Sequence, residues 1–158
     1  MISMGREDFI ELYESLGGSV TGDETTPQAI RINPLKTSDK ELVDTLTDQG
    51  VELEKTPFLD HGYEVISSQF SLGASIEYLL GYYSLQEKAS QLPVQIMSPS
   101  GEDRVLDMAA APGGKTTQMA AYMGNQGTVT AIDINRHRLY ALENNVERTS
   151  VKNTIIYA

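Results

Sequence analysis

The chain has 158 residues, of which 40% are hydrophobic and 22% charged, a length and composition that suit a compact globular protein and exclude a disordered or fibrous one. It contains no cysteine and two histidines, His61 and His137, so disulfides, thiolate metal sites and a cysteine nucleophile are excluded on these residues, and no HExxH-like spacing offers a metal site. The net charge of −10 has the wrong sign for a free-standing nucleic-acid binder.

The charge is local. Residues 1–64 carry 14 acidic and 5 basic side chains, whereas residues 101–158 carry six of each, which suggests two modules with different roles. No run approaches the ~18 apolar residues of a membrane span. Met1 to Glu11 carries acids where a secretory signal has a basic start and an apolar core, so a soluble, cytoplasmic chain with no membrane partner is expected.

Phe9, Leu12, Tyr13 and Leu16 fall at helical spacing and predict an amphipathic helix ended by Gly17-Gly18, followed by a loop from Ser19 to Pro27. Ala29 to Asn33 is a short strand stopped by Pro34, and Ser38-x-x-Glu41 is a capping box that opens a second helix, ended at Gly50. Val51 to Glu54 and Tyr63 to Ser67 alternate as two strands around a turn at Asp60-His61-Gly62. Residues 1–68 therefore form a small α+β module. Residues 69–101 are expected to be a helical bridge broken near Gly81, with Ile76, Leu79, Leu80, Tyr83, Leu85, Ala89, Leu92 and Ile96 in broadly helical spacing.

Beyond the turn at Pro99-Ser100-Gly101, Arg104 to Ala109 is a buried strand, Thr116 to Met123 a helix, Thr128 to Ile132 a strand, Arg136 to Arg148 a helix and Asn153 to Tyr157 a third strand. That alternation over residues 102–158 is the first half of a doubly wound, Rossmann-like α/β sheet.

The stretch from Asp107 to Thr116, DMAAAPGGKT, places small residues and two glycines at the turn from strand to helix. Gly113 and Gly114 allow positive φ and close approach, and the helix start offers free N–H groups to a negatively polarised ligand atom. Asp133, 20 residues after Gly113, ends the second strand, where an acid holds the hydroxyls of an adenosine ribose. The bland alternative is a glycine turn and a capping aspartate. A nucleoside-triphosphate loop would share Gly114-Lys115-Thr116 but fails at its start, where Ala109 replaces glycine and Pro112 removes an N–H donor.

These residues resemble the Sun-type (NOL/NOP/Sun) RNA 5-methylcytosine methyltransferases, which use S-adenosyl-L-methionine. The likeness rests on Asp107 to Thr116, on Tyr83-Ser-Leu-Gln-Glu-Lys-Ala-Ser90, on Arg31-Ile-Asn-Pro-Leu-Lys36, and on Asp133 with Arg138. The resemblance implies that Ala109, Ala110, Ala111, Pro112, Gly113, Gly114 and Lys115 line the methionine and sugar part of the cofactor, that Asp133 holds the ribose and that Arg138 borders the adenosine. It also implies that the amino-terminal module faces RNA, either tRNA or rRNA. Family members attack the cytosine ring with a cysteine and release the enzyme with a second one. With no cysteine here, no catalytic residue is assigned, and the chain reads as the amino-terminal portion of a longer or split enzyme whose remaining carboxyl-terminal segment is a partner. The alternative is a non-catalytic adenosyl-ligand binding or adaptor module.

Arg31 and Lys36 are either a local RNA contact or ordinary surface charge. Arg136, Arg138, Arg148 and Lys152 read as a solvated face rather than phosphate contacts. Tyr78, Tyr82 and Tyr83 read as core rather than base-stacking groups. Gln86 and Glu87 face the cofactor pocket or are plain helix surface, and His61 and His137 show no partner.

Overall fold

A computed structural model describes residues 5–19 and 26–157; of the loop expected from Ser19 to Pro27, residues 20–25 lie outside the described residues. Helix α1 (Arg6–Ser15) opens at Gly5, whose N–H donates to Asp8 Oδ2 at 2.9 Å. Its predicted apolar stripe stays exposed, Phe9 at 51% and Leu16 at 78%, with the Phe9 and Tyr13 rings stacked on each other.

The amino-terminal sheet is antiparallel. Strands β1 (Ala29–Ile32), β2 (Glu52–Lys55), β3 (Gly62–Ser67) and β4 (Tyr83–Leu85) lie in the order β2-β3-β1-β4, with Ile30 opposite both Tyr63 and Leu85. Helix α2 (Asp39–Asp48) covers it, and its first turn is capped by Ser38, whose hydroxyl accepts the Glu41 N–H at 3.2 Å. Leu42 and Leu46 of α2 pack with Ile30, Ile32, Val51, Leu72 and Tyr83 in one buried cluster. Tyr83 keeps its phenol satisfied there by Leu72 O and Ser75 Oγ, both at 2.7 Å.

Strand β4 departs from the sequence expectation of a broken helix over the bridge. Helix α3 (Ile76–Leu79) is a single turn that stops at Gly81, φ +76°. A Cβ on Gly81 would lie 2.0 Å from the Arg148 carbonyl oxygen, so only glycine allows the chain to turn against the second unit at that point. The chain then extends along β1 before helix α4 (Lys88–Met97) begins. A three-residue strand is too short for its period of two to stand out against flanking helical spacing.

The second unit is a parallel sheet of β5 (Arg104–Asp107), β6 (Thr128–Ile132) and β7 (Thr154–Tyr157) in that order. Helices α5 (Gly114–Tyr122) and α6 (Arg136–Arg148) make the crossovers on one face. Val129 packs there on Val94, Met119 and Met123, and Ala131 on Ala110, Ala111, Leu139 and Leu142. Leu106, Thr130 and Ile155 stand side by side on the other face, where Leu106 is 55% exposed.

Buried polar contacts join the units. Asn33 Nδ2 donates to Gly81 O and Thr149 O, both at 2.9 Å, and Lys36 Nζ donates to Leu80 O and Arg148 O. Arg148 reaches back to Tyr83 O at 3.0 Å and lies 4.1 Å over the Tyr78 ring. Neither basic residue of the Arg31 to Lys36 motif is loose surface charge: Arg31 is buried, and Lys36, with Asn33, clasps the ends of α3 and α6 by satisfying otherwise orphaned carbonyls. Tyr78, Tyr82 and Tyr83 belong to the core side of this joint, as their spacing predicted. Among the described residues no helix is long and apolar enough to cross a membrane.

Candidate cofactor site

The strand-to-helix turn after β5 is shaped by its small residues. Asp107 ends the strand and binds forward: Oδ2 accepts the Thr116 hydroxyl at 2.7 Å and Oδ1 the Ala109 N–H at 3.3 Å. The Ala110 N–H donates to Ile132 O at 3.0 Å, which fixes the loop over the end of β6. Gly113 caps α5 with φ +107° and supplies no side-chain bond. Its carbonyl accepts the Thr117 N–H at 2.9 Å, and no described hydrogen bond uses the N–H groups of residues 113–116. This leaves an open helix start with its partial positive charge uncapped.

A cleft of about 250 Å³ lies in front of that helix start, walled by Leu85, Gln86, Glu87 and Ser90 on one side and by Ala109, Ala110, Ala111, Pro112, Gly114 and Lys115 on the other. Six of the nine residues named from sequence thus line one space. Gly113 does not, because its Cα backs onto Leu142. Gln86 is buried in that wall, and Glu87 lines the cleft while open to solvent.

Asp133 and Arg138 sit behind the loop rather than in the cleft wall. The Asp133 Oδ2 accepts the Ala111 N–H at 3.0 Å and Oδ1 the Asn135 N–H at 2.8 Å. Arg138 donates to Ala111 O and holds its guanidinium 4.0 Å from Asp133 Oδ2. The Asn135 N–H first, then the Ala111 N–H and the Arg138 charge, hold the Asp133 carboxyl below its ordinary range against the opposing effect of burial. The side chain is only 4% exposed, and the two N–H bonds leave lone pairs for further donors.

Sequence reasoning missed two sets of residues. Arg31 comes from β1 yet bonds Gln86 and Gly114 in the cleft wall. A basic residue inside an apolar strand is the signal that something must meet it. His61 Nδ1 lies 2.7 Å from Asp39 Oδ1, which also accepts Tyr63 OH through Oδ2 at 3.1 Å; those partners are 22 and 24 positions apart, beyond any local pattern. The His137 backbone N–H donates to Asn135 Oδ1, and no side-chain partner of His137 is found among the described residues. Among the described residues no group of acids and histidines is arranged to hold a metal.

A parallel sheet whose first strand leads through a glycine turn into an uncapped helix, joined to an antiparallel unit, is the architecture of a Rossmann-like methyltransferase. The crystal structure of a methyltransferase homologue from Pyrococcus horikoshii matches it with a TM-score of 0.82 at 34% identity over 85% of this chain and 44% of that one. Residues 7–88 match the family model of the N-terminal domain of 16S rRNA methyltransferase RsmF, and residues 94–158 that of 16S rRNA methyltransferase RsmB/F. The chain belongs to this RsmB/F family of rRNA methyltransferases. It is 44% identical over 131 residues to a 25S rRNA (cytosine-C(5))-methyltransferase of Schizosaccharomyces pombe, and 42% identical over 150 residues to a human 28S rRNA (cytosine(4447)-C(5))-methyltransferase. Those matches cover 82% and 94% of this chain but 22% and 18% of the relatives, so the chain spans about a fifth of their length.

Proposed function

We propose that the chain is the cofactor-holding part of an RNA cytosine-C5 methyltransferase acting on ribosomal RNA, with S-adenosyl-L-methionine as methyl donor. The observation that carries this reading is the cleft at the open start of α5. Gly114 is part of its wall, and a Cβ there would project toward Gln86 at 3.6 Å across it, so glycine keeps that space for a ligand. The uncapped N–H groups and Lys115 suit a carboxylate, and Glu87 suits an ammonium, which together fit the zwitterionic end of an amino acid. At about 250 Å³ the cleft is smaller than a typical whole-ligand pocket and suits one end of the molecule. The lone pairs left on Asp133 are the candidate acceptors for ribose hydroxyls, with Arg138 beside the base. When bound, S-adenosyl-L-methionine supplies a methyl group made electrophilic by a sulfonium.

The cytosine chemistry implied by the family needs a thiolate. With no cysteine among these 158 residues, that group belongs to another segment of the enzyme. The open face of the parallel sheet, beside the unpaired edge of β5, is where we place that segment; parallel sheets are normally covered on both faces. The deciding experiment is calorimetric titration with S-adenosyl-L-methionine and with ATP. Preference for the first is expected, and equal or tighter ATP binding would overturn the assignment.

A further inference from the structure

Arg31 belongs to the amino-terminal sheet, yet its side chain works in the wall of the cofactor cleft. It is 3% exposed. Nη1 donates to Gln86 Oε1 and, at 2.6 Å, to Gly114 O; Nη2 donates to Thr117 Oγ1 at 3.0 Å; Nε is buried without a partner. Every acceptor is neutral, and no ion pair described includes Arg31. Burial pushes its pKa down to about 9, which still leaves the guanidinium charged at neutral pH.

An uncompensated buried cation is costly, and its place raises the cost. It lies against the first turn of α5, the end of the helix that already carries partial positive charge. Gln86 and Gly114, its two nearest acceptors, both line the cleft, as does Lys115. Three sources of positive potential thus converge on one wall, faced by Glu87 across the cleft, and an anion seated at the helix start relieves them together.

We propose that Arg31 is a positioning residue that gives the cleft its selectivity for a ligand bearing a carboxylate, acting through Gln86 and the first turn of α5. The inference rests on the cofactor reading above and deepens it: the amino-terminal module contributes directly to cofactor selection.

The test compares two ligands on the full-length polypeptide that carries this sequence. S-adenosyl-L-homocysteine has the amino-acid carboxylate; 5′-methylthioadenosine shares its adenosine and thioether and lacks it. In Arg31→Gln, affinity for the first is expected to fall roughly tenfold or more while the second changes less than about twofold. Arg31→Lys restores most of the discrimination. Thr117→Asp, which seats an acid against Nη2 outside the cleft lining, gives the same selective loss with Arg31 still in place and serves if Arg31→Gln does not fold. Equal weakening of both ligands, or an unchanged ratio in Arg31→Gln and Thr117→Asp, overturns the role of Arg31 alone. Failure of the wild type to bind either ligand overturns the cofactor reading and this inference with it.

Discussion

A Cβ on Gly113 would lie 2.9 Å from Leu142 Cδ1, whereas one on the neighbouring Gly114 would meet nothing nearer than Gln86 at 3.6 Å. The two glycines therefore do different work. Gly113 adopts φ +107° and lets α6 pack against the turn; Gly114 is helical and keeps the cleft open. Gly113→Ala should cost about 1–3 kcal/mol through backbone strain and displaced packing, seen as a lower melting temperature. Gly114→Ala should melt within a degree or two of wild type yet bind cofactor weakly. The reverse assignment of the two phenotypes would contradict this division.

Asp133 joins the end of β6 to the loop that walls the cleft. Asp133→Ala removes both the acceptor of the Ala111 N–H and the proposed ribose acceptor, so cofactor affinity should fall roughly 10- to 150-fold. The pH dependence has a definite sign. With a carboxyl held below its ordinary range, the stabilising contribution is complete above the unfolded pKa of ~4 and is lost as the pH falls through the lower folded value. The melting-temperature gap between wild type and Asp133→Asn should be constant from about pH 8 to 5 and shrink below about pH 4. A gap that grows in acid would mean that the carboxyl is not held in its charged form.

The absence of cysteine predicts that these 158 residues transfer no methyl group to RNA by themselves, even where they bind cofactor. Tritiated methyl transfer to unmodified ribosomal RNA measures this, with the chain alone and with the carboxyl-terminal segment of the enzyme added. Turnover by the chain alone would require a mechanism without a cysteine nucleophile.

Local signals made the second unit legible in the sequence. The residues that make the turn after β5 are contiguous, so Ala109 to Pro112, Gly114 and Lys115 are found together; the burial expected of Arg104 to Ala109 is not met, since Leu106 is 55% and Met108 72% exposed where one face of the sheet stands open. What stayed hidden depends on tertiary partners. Strand β4 exists because β1 offers an edge to Tyr83, Ser84 and Leu85. Arg31 reaches Thr117 across 86 positions, and Lys36 reaches the Arg148 carbonyl across 112; a basic residue inside an apolar strand signals that Arg31 must be met, but neither spacing nor charge pattern names the partner of either residue. Asp133 and Arg138, expected from the resemblance to meet the ligand, both hold Ala111, a task that no motif states.

The last prediction concerns the outer edge of β5. Its N–H and C=O groups on that side have no strand partner among the described residues, since β5 ends the order β5-β6-β7. The face around it is apolar: Leu106, Met108, Ile155 and Tyr157 are exposed, and Pro93, Val94, Met97 and Met119 line a groove of about 200 Å³ beside the strand. An unpaired, flat, apolar edge is a template for pairing with another chain. Purified residues 1–158 should therefore self-associate or unfold without cooperativity, and adding the carboxyl-terminal segment of the enzyme as a second polypeptide should restore a defined complex. A charged substitution on the open face, Leu106→Lys, should reduce self-association and also weaken that complex. Size-exclusion chromatography with light scattering reads both effects. A monomer with sharp thermal unfolding would show that the edge needs no cover, and would favour a self-contained binding module.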